Sequence, residues 1–416
     1  PMTPITLSPG QQTALEAFTA FLLDPLEEVF VLKGYSGTGK STLVKTLIER
    51  LPAIMKTVRL INPSQLDRQV QLTATTNKAC EALAQISQMG VMTIHSFLGL
   101  RVSTNYKTGV STLVPKDKNN IKYDFLLFVD EASYIDGVLL DHLFKLTKHC
   151  KIVLMGDPAQ LIQFNTTTAP AFEAPFPGAE LTEVMRQAKG NPIIDLATAF
   201  RHTVNTGEWG VFEPDGEHVV HLPRDQWEQA IVNEFSTPGW HYNRSKVLAW
   251  TNRAVIRFNN GINNLVHSTP SFREGDYAIC NRYMGFKHCT LKTDQTVMIS
   301  HMGPPTLEHD VLGNFLEIDG KVQVFMPKSL DDKKALIKQA QADDNLGLVA
   351  HIDRTWIDLR AAFAQTINKS QGSTYDEVFI DLDDVAACNS GNQIARMLYV
   401  GTSRARYKVW LTGDLA

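Results

Sequence analysis

The chain contains no apolar run long enough to cross a bilayer, and its first residues lack the charged and apolar regions of a signal peptide, so a cytoplasmic protein is expected. Cysteine is scarce. The five residues, Cys80, Cys150, Cys280, Cys289 and Cys388, are scattered and odd in number, and no second pair or histidine cluster accompanies Cys280 and Cys289. That pattern argues against a disulfide framework and a cysteine-based zinc site, and leaves buried thiols. Positive charge is not in excess: 40 Lys and Arg face 44 Asp and Glu, a net charge of −4. Non-specific coating of nucleic acid is disfavoured, whereas a groove with a local basic lining is not, because the field that matters is local. Internal repeats and low-complexity tracts are also missing. What remains is an ordinary globular composition at 416 residues, a length that suits two domains or more.

Against that background, residues 34–41 stand out. They read Gly-Tyr-Ser-Gly-Thr-Gly-Lys-Ser, follow the apolar run Val29–Leu32 and open a helix-like stretch from Ser41. Strand, glycine-rich loop and helix together make a phosphate-binding loop. Gly34, Ser36, Gly37, Thr38 and Gly39 offer backbone N–H groups, and the helix N-terminus adds its dipole. Lys40 can reach the β- and γ-phosphates, the Ser41 hydroxyl can take a Mg²⁺ position, and Thr42 continues the nucleotide-binding turn. A nucleoside triphosphate is the expected ligand.

Further apolar runs read as buried parallel strands: Val70–Thr73, Phe125–Val129, Ile152–Met155, Val247–Trp250, Val378–Ile380 and Val409–Leu411. Helix-like segments such as Asn77–Gln88 and Leu139–Thr147 alternate with them. The expected class is α/β, with functional residues at the carboxyl ends of the strands. Two stretches depart from this alternation. Residues 101–120 are polar, with a Lys107-Thr108-Gly109 turn signal, and read as a short β-hairpin. Residues 269–356 carry short strand-like runs, Asp276–Cys280, Thr296–Ser300, Phe315–Ile318 and Val322–Met326, a tight-turn Asp319-Gly320 and one helix-like run, Asp331–Ala342. A small inserted β-barrel fits them.

Phe125–Val129 leads into Asp130-Glu131. Beside a phosphate loop, Asp130 would hold Mg²⁺ and Glu131 would polarise the attacking water. Ile152–Met155 ends in Gly156-Asp157-Pro158-Ala159-Gln160, where Gln160 could sense the γ-phosphate; alone, this segment reads as a plain Asp-Pro turn. Arg186 and Arg404 lie near apolar runs of the second half, but spacing does not single them out among the arginines.

The ordered set of these segments resembles the superfamily 1 helicases over nearly the whole chain. Gln11 resembles the adenine-reading glutamine, Gly34–Ser41 motif I, Thr73–Ala79 motif Ia and Thr93–Phe97 motif Ib. Asp130-Glu131 and Gly156–Gln160 resemble motifs II and III, the segment around Arg186 motif IV, Gln365–Ser373 motif V and Tyr399–Arg404 motif VI. Asn368 stands where histidine is frequent, and Thr73-Ala74-Thr75 where Ala-Pro-Thr is common. The small insertions resemble the 5′-to-3′ branch, superfamily 1B, the branch of the RecD-like and phage Dda-like helicases.

The resemblance implies two RecA-like parallel-sheet domains: residues 1–172 with the 101–120 hairpin inserted, and 173–268 with 357–416, interrupted by an SH3-like barrel at 269–356. It implies that ATP and Mg²⁺ bind between these domains, with Lys40, Ser41, Asp130, Glu131 and Gln160 from the first, Arg186 and Arg404 from the second, and Gly372 beside the nucleotide. It further implies grip on single-stranded DNA by Thr75, Thr76, His95, Thr366, Asn368 and Ser370, a strand-separating role for the hairpin, and work at duplex junctions. A single-strand-binding protein as partner, action as a monomer, and a bacterial or phage-infected host setting belong to the same expectation. Open alternatives are an RNA helicase, a protein-displacing translocase and an ATP-switched recruitment module. A metabolic kinase is disfavoured by the size of the second half.

Overall fold

The computed structural model describes residues 7–63, 68–104, 111–117, 120–162, 169–183, 190–267 and 272–415. The chain divides into two compact units. The first comprises Pro1–Val220, Ile367–Thr374 and Val385–Val409, and the second His221–Thr366, Tyr375–Asp384 and Trp410–Ala416.

The first unit is built on a six-stranded sheet. Its order from edge to edge is Gly178–Leu181, Val29–Gly34, Lys151–Gly156, Phe125–Asp130, Gln69–Ala74 and Val91–Thr93, and every neighbouring pair is parallel. Successive side chains along a strand point to opposite faces. Accordingly Phe30, Leu32, Leu126, Phe128, Val153 and Met155 join one core with helices Pro9–Leu23 and Lys40–Ile61. Val29, Val31, Leu127, Val129, Ile152 and Leu154 join a second core with Leu139 and Leu143 of helix Gly137–Lys145. Both faces are covered, which is why the sequence shows continuous apolar runs rather than alternation. The register brings Gly34, Ala74, Asp130 and Gly156 to the same end of the sheet. Leu100–Thr104 and Ser111–Pro115 pair antiparallel in a separate two-stranded sheet. The segment Asn105–Val110 between them lies outside the described residues.

In the second unit, Ser245–Ala249 is flanked in parallel by Ala364–Thr366 and Tyr375–Asp381. Trp227, Phe235, Val247, Phe363 and Phe379 form its core. A second sheet is antiparallel, ordered Val322–Pro327, Val311–Ile318, Thr296–Glu308, Tyr277–Cys280 and Leu359–Ala361. The Ile357 amide donates to Phe325 O at 2.8 Å, bringing the approach to the last strand back to the first. The strand expected to stop at Ser300 continues to Glu308 through Gly303-Pro304-Pro305. Proline is tolerated there because the register shifts between Met302 and Pro305, and among the described residues the only strand paired at this level is Val311–Ile318. A helix, Leu346–Thr355, was not anticipated from the sequence.

Candidate nucleotide site

The phosphate loop follows strand Val29–Gly34 and runs into helix Lys40–Ile61. Gly37 and Gly39 have φ values of 77° and 76°, a left-handed conformation that glycine adopts without a Cβ penalty. Gly39 is the helix N-cap, no side chain caps the helix, and no acidic residue lies in its first turn. The helix N-terminus therefore keeps its donors and dipole for an anion. The Thr38 hydroxyl donates to Tyr35 O at 2.6 Å, closing the loop on itself. Ser41 is exposed in the first turn and Thr42 is half-buried beside it. Gln11 is fully buried. Its Nε2 donates to Gly39 O at 3.0 Å while its Oε1 accepts from the Ser8 amide at 2.9 Å, so the amide braces the loop from the preceding helix.

Lys40 Nζ lies 3.5 Å from Asp130 Oδ1. Burial opposes the ammonium charge, but Asp130, Glu131 and Asp157 outweigh it and hold the lysine pKa above its ordinary value. Asp130 Oδ1 also accepts from the Glu131 amide at 2.9 Å. Glu131 adopts φ 55°, an uncommon conformation for a non-glycine residue. Its side chain is buried, and its Oε2 has no hydrogen-bond partner among the described residues. Burial raises the Glu131 pKa, with Lys40 and Arg404 opposing the shift. A carboxylate in that condition is a stronger base than a solvated one and has a free lone pair for water.

Asp157, at the end of the neighbouring strand, is also buried and its pKa is raised by burial. It accepts from the Ala159 amide at 2.9 Å and from the Tyr399 hydroxyl. Tyr399 comes from helix Gly391–Thr402, and its oxygen in turn accepts from the Ser36 amide at 2.7 Å. Gln160 is buried, and its Oε1 accepts from Gln371 Nε2 at 3.0 Å. Arg396 donates to Pro158 O and Gln160 O, each at 2.8 Å, which fixes the Gln160 loop. Arg404 is buried with its guanidinium on Val400 O, Ser373 O and the Ser403 hydroxyl. Tyr399, Arg396 and Gln371 were not assigned roles from the sequence. Gln371 and Tyr399 lie in motif-like segments, whereas Arg396 lies outside them and carried no signal in the sequence.

The AAA domain model matches residues 6–210, and the UvrD-like helicase C-terminal domain model matches residues 361–412. The chain is 24% identical to the ATP-dependent DNA helicase dda of Enterobacteria phage T4, across 98% of this chain and 100% of that protein. The chain is thus similar, over nearly its whole length, to the Dda/RecD-like helicases of superfamily 1B. The RecD2 DNA helicase of Deinococcus radiodurans is 30% identical over 47% of this chain and 26% of its own length. Among solved structures, Pif1 helicase from Bacteroides in complex with ADP-AlF3 and ssDNA covers 99% of this chain and 94% of its own. That pair has a TM-score of 0.53 at 16% identity, a likeness of fold. The parallel sheets of the two units fit two RecA-like domains, as in the Pif1 fold.

The remaining motif residues of the superfamily 1B set fall as follows. The Thr75 hydroxyl donates to Glu131 O at 3.1 Å, and the Thr76 hydroxyl caps helix Asn77–Ser87 by accepting from Ala79 N. His95 is half-buried, and burial lowers its pKa, with Asp136 opposing. Asn368 is exposed, while its carbonyl accepts from the Tyr134 hydroxyl at 3.0 Å. Ser370 is fully buried with its hydroxyl on Ile367 O at 2.6 Å. Thr366 is buried at the end of its strand in the second unit. Gly372 has φ 75°, and a Cβ there would lie 3.2 Å from the Ala79 amide, so a side chain would press on the start of helix Asn77–Ser87. Arg186 lies outside the described residues.

Proposed function

We propose that the protein is an ATP-dependent DNA helicase that moves 5′ to 3′ along single-stranded DNA and separates the duplex ahead of it. The observation that carries this reading is the grouping of Lys40, Asp130 and Glu131 at the phosphate loop, with a buried Glu131 oxygen lacking a partner among the described residues. The full-length match to a phage DNA helicase gives the substrate class. Pif1 structures with ssDNA and at forked dsDNA are consistent with binding at single-strand–duplex junctions.

In this reading the loop amides from Gly34 to Gly39 cradle the ATP phosphates, with Gln11 bracing the loop near the base. Lys40 neutralises the γ-phosphate, and Glu131 orients the attacking water and accepts its proton. Arg404, with Arg186, stabilises charge on the transferring group. Mg²⁺, when bound, would be held by Ser41 and Asp130 and would neutralise phosphate charge. Gln160, tied to Gln371, reports loss of the γ-phosphate to the segment that contains Asn368 and Gly372. Thr75, Thr76, His95, Thr366 and Asn368 mark the path of the DNA, while Ser370, fully buried with its hydroxyl on Ile367 O, would hold the Asn368 segment in shape rather than touch the strand. Contacts to its phosphates would position the strand without reading sequence.

The domain reading assigns residues 1–172 to the first RecA-like domain, with a strand-separating hairpin at 101–120. It assigns 173–268 with 357–416 to the second, and 269–356 to an SH3-like barrel. Action as a monomer in the cytoplasm, with a single-strand-binding protein on the product strands, completes the proposal. The decisive experiment is ATP-driven unwinding of two matched duplexes, one with a 5′ tail and one with a 3′ tail. Separation of the 5′-tailed duplex alone is expected. Separation of the 3′-tailed duplex alone would overturn the polarity, and separation of neither would overturn the helicase reading.

A further inference from the structure

The second unit carries a cluster of metal-ligating side chains that ATP hydrolysis does not use. Strand Thr296–Glu308 returns through His309 and Asp310 into Val311–Ile318, and Glu308 pairs with Val311, so the turn has two residues. Both adopt left-handed backbone, φ 49° and 63°. The turn sets His309 beside Glu308, and helix Leu346–Thr355 delivers His351 to the same place. His351 Nε2 lies 2.9 Å from Glu308 Oε1, and the two imidazole rings are 5.3 Å apart in an edge-to-face arrangement. One donor atom from each of Glu308, His309 and His351 lies within 4.8 Å of the others.

A histidine–glutamate ion pair accounts for the first of these contacts. It leaves the rest without a cause. Glu308 Oε2 is buried with no hydrogen-bond partner among the described residues, and such an atom is costly unless something supplies positive charge. A dication between the three side chains would supply it. Metal–ligand distances near 2.0–2.2 Å put tetrahedral donors about 3.4 Å apart, which small side-chain rotations would reach from the present spacing. Two imidazoles and one carboxylate suit first-row transition metals, whereas Mg²⁺ and Ca²⁺ favour all-oxygen sites.

We propose that Glu308, His309 and His351 form a binding site for a transition-metal dication of the Zn²⁺ class. Water or the Thr355 hydroxyl, 3.4 Å from His351 Nε2, takes the fourth position. The ion clamps the hairpin turn to the helix above the apolar cluster of Val311, Phe325, Ile352 and Trp356.

The test is calorimetric titration of metal-free full-length protein with Zn²⁺, in the presence of excess Mg²⁺. One equivalent is expected to bind, and to be released as pH falls through the imidazole range. His309→Asn, which tolerates the left-handed turn, His351→Ala and Glu308→Gln should each weaken binding at least tenfold. DNA-stimulated ATP turnover should persist in His309→Asn, showing that it is folded. If His351→Ala does not fold, the other two variants decide. No stoichiometric uptake by the unaltered protein, or unchanged uptake in folded His309→Asn, would overturn the assignment.

Discussion

Replacing Tyr399 by phenylalanine removes one oxygen from the centre of the nucleotide site. That oxygen accepts from the Ser36 amide at 2.7 Å and donates to the Asp157 carboxylate. The ring itself is buried and its volume is kept. A hydrogen bond to a charged group contributes about 1.5–3 kcal/mol and a backbone N–H bond about 1 kcal/mol. Water can reach half-buried Ser36 but not Asp157, so the net loss of stability should be about 2–3 kcal/mol. Part of that loss falls on the folded phosphate loop, and the KM for ATP should rise roughly 5–30-fold, the ratio equivalent to about 1–2 kcal/mol. The pH dependence gives a second readout. Burial raises the Asp157 pKa, so its ionised form penalises the folded state above the ordinary carboxylate range, and the penalty disappears as the group protonates. Tyr399 offsets that penalty by hydrogen bonding to the ionised form. The destabilisation of Tyr399→Phe should therefore be largest at neutral pH and shrink as pH falls. Urea unfolding across pH and steady-state ATPase kinetics measure both effects. An unchanged KM together with a pH-independent stability difference would refute the reasoning.

Glu131→Gln should bind ATP normally and lose turnover by roughly 10²–10⁴-fold, as read by nucleotide binding and single-turnover hydrolysis. Because Glu131 is raised, turnover of the unaltered protein should decline on the acid side at a pH above the usual glutamate range. Arg404→Ala should keep ATP affinity within a few fold while hydrolysis drops by about 10³–10⁵-fold; a normal kcat would remove Arg404 from the reaction. Lys151 is buried and donates to Phe21 O, Asp24 O and Glu27 O at 2.8, 2.6 and 2.6 Å. Lys151→Met strands three carbonyls and should cost about 3 kcal/mol or more in urea unfolding, and a cost below about 1 kcal/mol would show that water replaces the ammonium.

The four central strands of the first sheet, the phosphate loop and the Asp130-Glu131 pair were legible in the sequence because their determinants are local, whereas the edge strands Gly178–Leu181 and Val91–Thr93 were not read from it. Apolar runs buried on both faces, glycines at positive φ and a lysine opening a helix each announce themselves within a few residues. The Asp319-Gly320 turn was readable for the same reason, with φ 53° and 65°. The strand through Gly303-Pro304-Pro305 was not, since whether proline is tolerated depends on which edge of the strand is paired. Thr75, Thr76 and Ser370 show the same boundary: the sequence marks them as polar, and only the fold commits their hydroxyls to backbone partners. Sequence alone thus determined the α/β alternation and the local part of the candidate nucleotide site, the phosphate loop with Lys40 and Ser41 and the Asp130-Glu131 pair. Tertiary structure decided how that site is wired, from Tyr399 on the Ser36 amide 363 residues away to Gln371 on Gln160 across 211. It also brought His351 to the Glu308–His309 turn, 43 residues from its glutamate partner. Such pairings follow from strand order and helix packing, which no local pattern encodes.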